Sequence, residues 1–281
     1  MKKIKLLLCL FMLTTLCGCS NSNKNESSKT LNAAMFWIST SLDPTNNYDG
    51  WVLSRIGVGE TLLKLNEKYE VEPSLAKSYE QIDDTTWKLT LKDHITFSNG
   101  NKVTGENVKA CLERAFEKNT RAIDYFDLNH VEADKQDVYL YLNKSSGAIL
   151  NNLCEPLFTI YDASQSEVDI AKHPLCTGPF VVDDFVSEKT IDTSKNKKYY
   201  DGKAKLDHVH FSQVADSDAR VLALQSGEVD LANTIDYSSL KLFRNNKDYQ
   251  VLEVLGPRTN VIYMNNETTF LSDLTIRKAL S

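Results

Sequence analysis

Cysteine and histidine are scarce in this chain, with 6 and 5 copies among 281 residues. An excess of positive charge is missing too, since 32 Lys plus Arg stand against 38 Asp plus Glu. So few cysteines over this length exclude a disulfide-framework protein. The net charge of −6 argues against a polyanion binder, and nucleic acid is not an expected partner. Several signatures of catalysis and nucleotide binding are absent. There is no G-x-S-x-G, H-E-x-x-H or G-x-x-x-x-G-K-S/T, and Gly57-Val58-Gly59 is a lone G-x-G without the third glycine. Ser74-Leu75-Ala76-Lys77 has the S-x-x-K spacing of an acylated serine, but its partner motifs S-D-N and K-T-G do not occur. No enzymatic activity and no cofactor are expected. With 42% hydrophobic and 25% charged residues the chain can bury a sizeable core, which excludes disorder for its bulk.

The longest apolar run, Leu6 to Leu16, follows three lysines and leads into Leu16-Cys17-Gly18-Cys19. It is short for a bilayer span and reads as a secretory signal peptide over residues 1–18. Small residues at 17 and 18 suit an extended chain in a peptidase cleft. Cys19 then offers a thiol for diacylglycerol, the pattern of a bacterial lipobox. Residues 19–30 are rich in Ser, Asn and Lys and read as a lipidated tether. This places the protein at the cell membrane, lipid-anchored on the extracytoplasmic face.

Beyond the tether, Leu31 to Ile38 reads as a strand, Leu42-Asp43-Pro44 as a loop, and the segment near Trp51 as a short helix. Thr86 to Leu91 alternates like a half-buried strand. Thr104 can cap a helix whose Val108, Cys111, Leu112, Ala115 and Phe116 share one face. Val138, Leu140 and Leu142 alternate with Tyr139 and Tyr141, giving a strand with an aromatic outer face. Further strands are expected at Val181-Val182, at Val209 with Phe211, and over Val229 to Ala232. Ala219 to Ser226 reads as a helix with Leu222 and Ala223 inward and Gly227 closing it. Asn260 to Met264 reads as a last strand, and Ser272 as the cap of a helix through Leu274, Ile276 and Leu280. This order of elements predicts mixed α/β layers. The chain stops inside that last helix, which reads as truncation.

The stretch Val71 to Gly100, VEPSLAKSYEQIDDTTWKLTLKDHITFSNG, resembles the signature of the bacterial extracytoplasmic solute-binding protein family 5. Leu42-Asp43-Pro44, Gly59-Glu60-Thr61-Leu62, Thr177-Gly178-Pro179-Phe180, Ala223 to Asp230 and Ile276 to Leu280 extend the likeness over most of the chain. Ser74 and Lys77 fall inside this signature, which further weakens their catalytic reading. The resemblance implies an α/β fold: a periplasmic-binding-protein-like type II mixed-sheet lobe over residues 31–265, with an extra α+β subdomain at about 65–175. Residues 266–281 would begin a second lobe that is largely missing. The implied role is capture of oligopeptides or a nickel chelate for an ABC permease and its ATPase subunits. A truncated remnant or a repurposed surface lipoprotein is the alternative.

Solutes of these kinds carry carboxylates, which a guanidinium recognises by paired hydrogen bonds. By likeness to nickel-chelate members, Arg121 falls at a cleft arginine and Tyr125 near a cleft aromatic; a solvated arginine at a helix end is the plainer reading. Tyr48, Trp51 and Arg55 follow the Leu-Asp-Pro loop and suit a pocket wall, though Trp51 also fits an ordinary core. His208 and His210 are two apart on an expected strand and share a face, which makes them weak metal candidates without a third ligand. Cys176 stands where the family usually has glycine. It pairs with Cys154 in one reading, and in the other both remain free buried thiols.

Overall fold

The computed structural model describes residues 28–254, 256 and 261–280. The signal peptide, Cys19 and most of the tether expected from the sequence lie outside them. The chain forms two compact units, one ending at Ile235 and the other beginning at Asp236, a division earlier than residue 266.

In chain order the first unit holds β1 (Thr30–Met35), α1 (Gly50–Arg55), β2 (Leu63–Leu65), β3 (Val71–Pro73), β4 (Ala76–Gln81) and β5 (Thr86–Leu91). There follow α2 (Gly105–Lys118), α3 (Ala122–Tyr125), β6 (Leu128–Asp134), β7 (Asp137–Leu142), α4 (Ile149–Asn152) and α5 (Glu167–Lys172). Last come β8 (Phe180–Val186), β9 (Thr190–Lys195), β10 (His208–Gln213), α6 (Ser217–Ser226) and β11 (Leu231–Ala232). A five-stranded sheet runs β11-β1-β10-β9-β8, with β1 parallel to both neighbours and the rest antiparallel. The antiparallel sheet β4-β5-β7-β6 carries α2 against β6 and β7. Together these give the mixed α/β lobe and a second α+β layer.

The apolar patterns explain the packing. On α2, Val108, Cys111, Leu112 and Ala115 are buried, the i, i+3, i+4 stripe of an amphipathic helix. Thr104 and Asn107 close its start as a reciprocal capping box. Along β7, Val138 and Leu140 are fully buried, while outward Tyr139 receives Lys88 over its ring and Tyr141 stacks on His130 at 4.3 Å. The outer aromatics therefore pack against a cation and an imidazole on the neighbouring strands.

Four expectations need correcting. On α6, Leu222 is 65% exposed, and Val221 and Arg220 turn inward beside Ala223. Arg220 wins that position because its guanidinium donates to the carbonyls of Val214, Ala215, Asn233 and Thr234, which fixes the helix rotation. Gly227 does close the helix in the left-handed region, with φ 75°. The expected strand at Val229 shrinks to Leu231–Ala232. In the second unit, residues 261–264 take no regular structure. The final helix α7 (Leu274–Leu280) is capped by Asp273, whose carboxylate accepts from the Thr275 N–H at 2.7 Å, not by Ser272. No described helix is long and apolar enough to cross a membrane.

Candidate solute-binding site

The Leu-Asp-Pro loop is clamped from α2. Arg114 donates from both terminal nitrogens to the two Asp43 oxygens, at 2.8 and 2.6 Å, and also to Thr45 Oγ1 and the Tyr161 hydroxyl. Asp43 accepts from the Thr45 N–H and hydroxyl as well. Past the helix, Asn119 Nδ2 donates to the carbonyls of Thr45 and Asn47. Residues 43–47 are thus held by side chains from one rigid helix and its exit.

That clamp sets out the residues that follow. Asn47 is left-handed, with φ 45°, and this turn projects Tyr48, which is 54% exposed. The guanidinium of Arg121 lies over the Tyr48 ring, 3.7 Å from its centroid. It donates to the Asn47 carbonyl at 2.9 Å and to the Tyr125 hydroxyl at 2.7 Å. Glu155 Oε1 sits 3.9 Å from Arg121 Nη2 and accepts the Trp51 indole N–H at 2.8 Å. Arg55 lies 5.5 Å from the ring centroids of Trp51 and Phe36. Burial pushes the Tyr125 phenol up to about 12, with the Glu155 charge adding and Arg121 opposing, so it stays a proton donor.

Tyr48, Trp51, Arg55, Arg121 and Tyr125 therefore meet in one cluster at the surface of the first unit. Arg121 is neither a free helix-end arginine nor fully enclosed. Glu155, Asn119 and Arg114 complete the arrangement and were not legible beforehand, since Trp51 and Glu155 are 104 residues apart in sequence. A cleft of about 140 Å³ opens nearby, with Ser54, Cys154 and Pro156 in its wall. It is too small to enclose a solute, because ligand pockets usually span about 300–1,000 Å³.

The weak metal candidates lie elsewhere, on β10. His208 is exposed, and His210 Nδ1 is 2.6 Å from Asp192 of β9. Among the described residues no group of three or more His, Cys, Asp or Glu is placed to hold a metal. The disulfide reading is corrected: Cys154 and Cys176 are free thiols. Cys154 Sγ turns back to the Leu150 carbonyl within its own helical turn, while Cys176 is buried and bridges to Tyr161 through its backbone.

A family model for bacterial extracellular solute-binding proteins, family 5, matches residues 70–281. The chain belongs to this family. The nickel-binding protein NikA of Staphylococcus aureus is 32% identical over 265 residues, covering 94% of this chain and 52% of NikA. The glutathione-binding protein GsiB of Escherichia coli is 28% identical, over 78% of this chain and 45% of GsiB. The crystal structure of S. aureus NikA in complex with Ni(L-His)2 superposes with a TM-score of 0.74 at 31% identity, covering 78% of this chain and 46% of that one. The chain thus spans about half the length of these family 5 relatives, and its fold is that of type II periplasmic binding proteins.

Beneath the cluster lies a carboxylate with an unusual affinity for its proton. Asp49 is 2% exposed and accepts from Asn46 Nδ2 at 2.6 Å. Burial drives its pKa up to about 6, that hydrogen bond opposes the shift, and the charge of Asp43 adds to it. A carboxyl raised in the folded state contributes stability that is fully present below the unfolded value of 3.8 and lost as pH rises through about 6. Asp49→Asn is therefore expected to stabilise the protein at neutral pH by about 2 kcal/mol, with the gain vanishing near pH ~4. Urea midpoints at the two pH values check this, and a variant no more stable than wild type at neutral pH contradicts it.

Proposed function

We propose that this chain captures a carboxylate-bearing solute, a nickel chelate or an oligopeptide, for an ABC importer. Arg121 is the observation that carries the reading. Its guanidinium is fixed against Tyr48, and the Asn47 carbonyl and Tyr125 hydroxyl take two of its five N–H donors. The remaining donors can meet a carboxylate in a geometry already paid for in conformational entropy. Tyr48 and Trp51, 54% and 38% exposed, offer aromatic surface in the same cluster for the body of the solute. The likeness to NikA favours a nickel chelate over a long peptide.

In this reading residues 1–18 direct export and Cys19 carries the lipid that holds the protein at the extracytoplasmic face of the membrane. An ABC permease with its ATPase subunits receives the solute, and the chain itself catalyses nothing. Tryptophan emission during titration with nickel(II) plus L-histidine, and with a mixed peptide pool, tests the reading. One of the two is expected to give a saturable change, and Arg121→Ala is expected to weaken that binding by about 10–100-fold, as loss of a charge-assisted pair should. An Arg121→Ala variant that binds as tightly as wild type rules the assignment out.

A further inference from the structure

Glu155 is the anionic partner within this cluster, and its position is odd for a purely structural group. Its side chain is only 13% exposed, yet the nearest guanidinium nitrogen, on Arg121, stays 3.9 Å away, well beyond a direct charge-assisted hydrogen bond. Arg121 reaches it mainly through Tyr125, whose hydroxyl accepts from Arg121 and faces the Glu155 carboxylate. The Trp51 indole N–H occupies Oε1 at 2.8 Å. A carboxylate offers about four acceptor positions, so the indole and the phenol leave capacity for a further donor. Opposite charges that stand close without closing on each other can each take a third group. Arg121 Nη2 and Glu155 Oε1 stand 3.9 Å apart, a spacing that acidic and N–H-bearing groups on neighbouring atoms can span.

We propose that Glu155 reads an amine next to the solute's carboxylate, as on the α-carbon of an amino acid, while Arg121 takes the carboxylate itself. This rests on the solute-capture reading above. It names the chemical class within it: ligands with an α-amino-acid head, free or chelating a metal, in which the nitrogen still carries hydrogen. A metal-bound primary amine keeps its N–H donors, so a chelate satisfies Glu155 as a free ammonium does. A solute with a carboxylate alone leaves Glu155 a buried charge facing no new donor, which costs affinity.

The test uses preformed nickel(II) complexes of L-histidine and of Nα,Nα-dimethyl-L-histidine, titrated into the full chain by calorimetry. Methylation keeps the carboxylate and the chelating nitrogen but removes the N–H donors. Wild type is expected to prefer the unmethylated complex by about tenfold, the loss typical of a charge-assisted hydrogen bond. Glu155→Leu, similar in size but without an acceptor, is expected to erase that preference. Trp51→Phe, which removes the indole bond and leaves the carboxylate, is expected to retain it even where overall affinity falls. Equal binding of the two complexes by wild type overturns the role of Glu155 and leaves the importer reading standing. A preference that survives in Glu155→Leu shows a steric effect of the methyl groups and also overturns it. Failure of wild type to bind either complex overturns the inference together with the nickel-chelate form of the parent reading.

Discussion

Arg114→Ala is expected to lower the unfolding free energy by about 3–5 kcal/mol, the range for removing one partner of a buried ion pair. The pair is poorly exposed, 16% for the Arg114 side chain and 13% for Asp43, and Ala would leave the Asp43 carboxylate buried with only Thr45 as a donor. Burial alone would raise the Asp43 pKa, but the Arg114 hydrogen bonds, with Thr45, outweigh it and hold the carboxyl below its ordinary value. A depressed carboxyl contributes stability that is present above the unfolded value of 3.8 and is lost as pH falls through the lower folded one. The penalty of Arg114→Ala should therefore be greatest at neutral pH and shrink in acid. Urea unfolding of both proteins across that range checks it. A midpoint unchanged at neutral pH contradicts the clamp. Since Arg114 holds the loop that projects Tyr48, the variant should also weaken solute binding without touching solute.

Gly50→Ala carries the second large effect. A β-carbon at Gly50 would lie 2.3 Å from the Pro156 carbonyl oxygen and 2.7 Å from its carbon. Backbone cannot yield as a flexible side chain can, so the start of α1 must separate from the Glu155-Pro156 segment. We expect a loss of about 3 kcal/mol, at the upper end for overpacking. The same displacement would stretch the Trp51–Glu155 hydrogen bond, so tryptophan emission should move toward that of a solvated indole. Measured stability and emission equal to wild type would show that the two segments are not packed as described.

How much was legible beforehand depended on whether the signal was local. The apolar stripe of α2 and the alternation of β5 and β7 are local patterns, and the structure follows them. Leu222 fails because the rotation of α6 is set by Arg220 reaching four carbonyls on segments either side of the helix, a long-range demand that overrides hydrophobic spacing. The expected strand near Met264 fails because Ile262 and Tyr263, 79% and 92% exposed, have no neighbouring strand among the described residues. Aromatic and basic residues close to the Leu-Asp-Pro loop stood out as site candidates. Glu155 and Asn119 did not, because each acts across a long sequence separation and sits in no motif that a single chain displays.

A solute carboxylate is expected to pair with Arg121 beside the Tyr48 ring. A crystal structure of the chain grown with nickel(II) and L-histidine, or with a peptide pool, tests it most directly. The account predicts carboxylate oxygens within about 3 Å of the Arg121 guanidinium, with the solute against the two aromatic rings. A bound solute elsewhere, with Arg121 contacting only Asn47 and Tyr125, would contradict it.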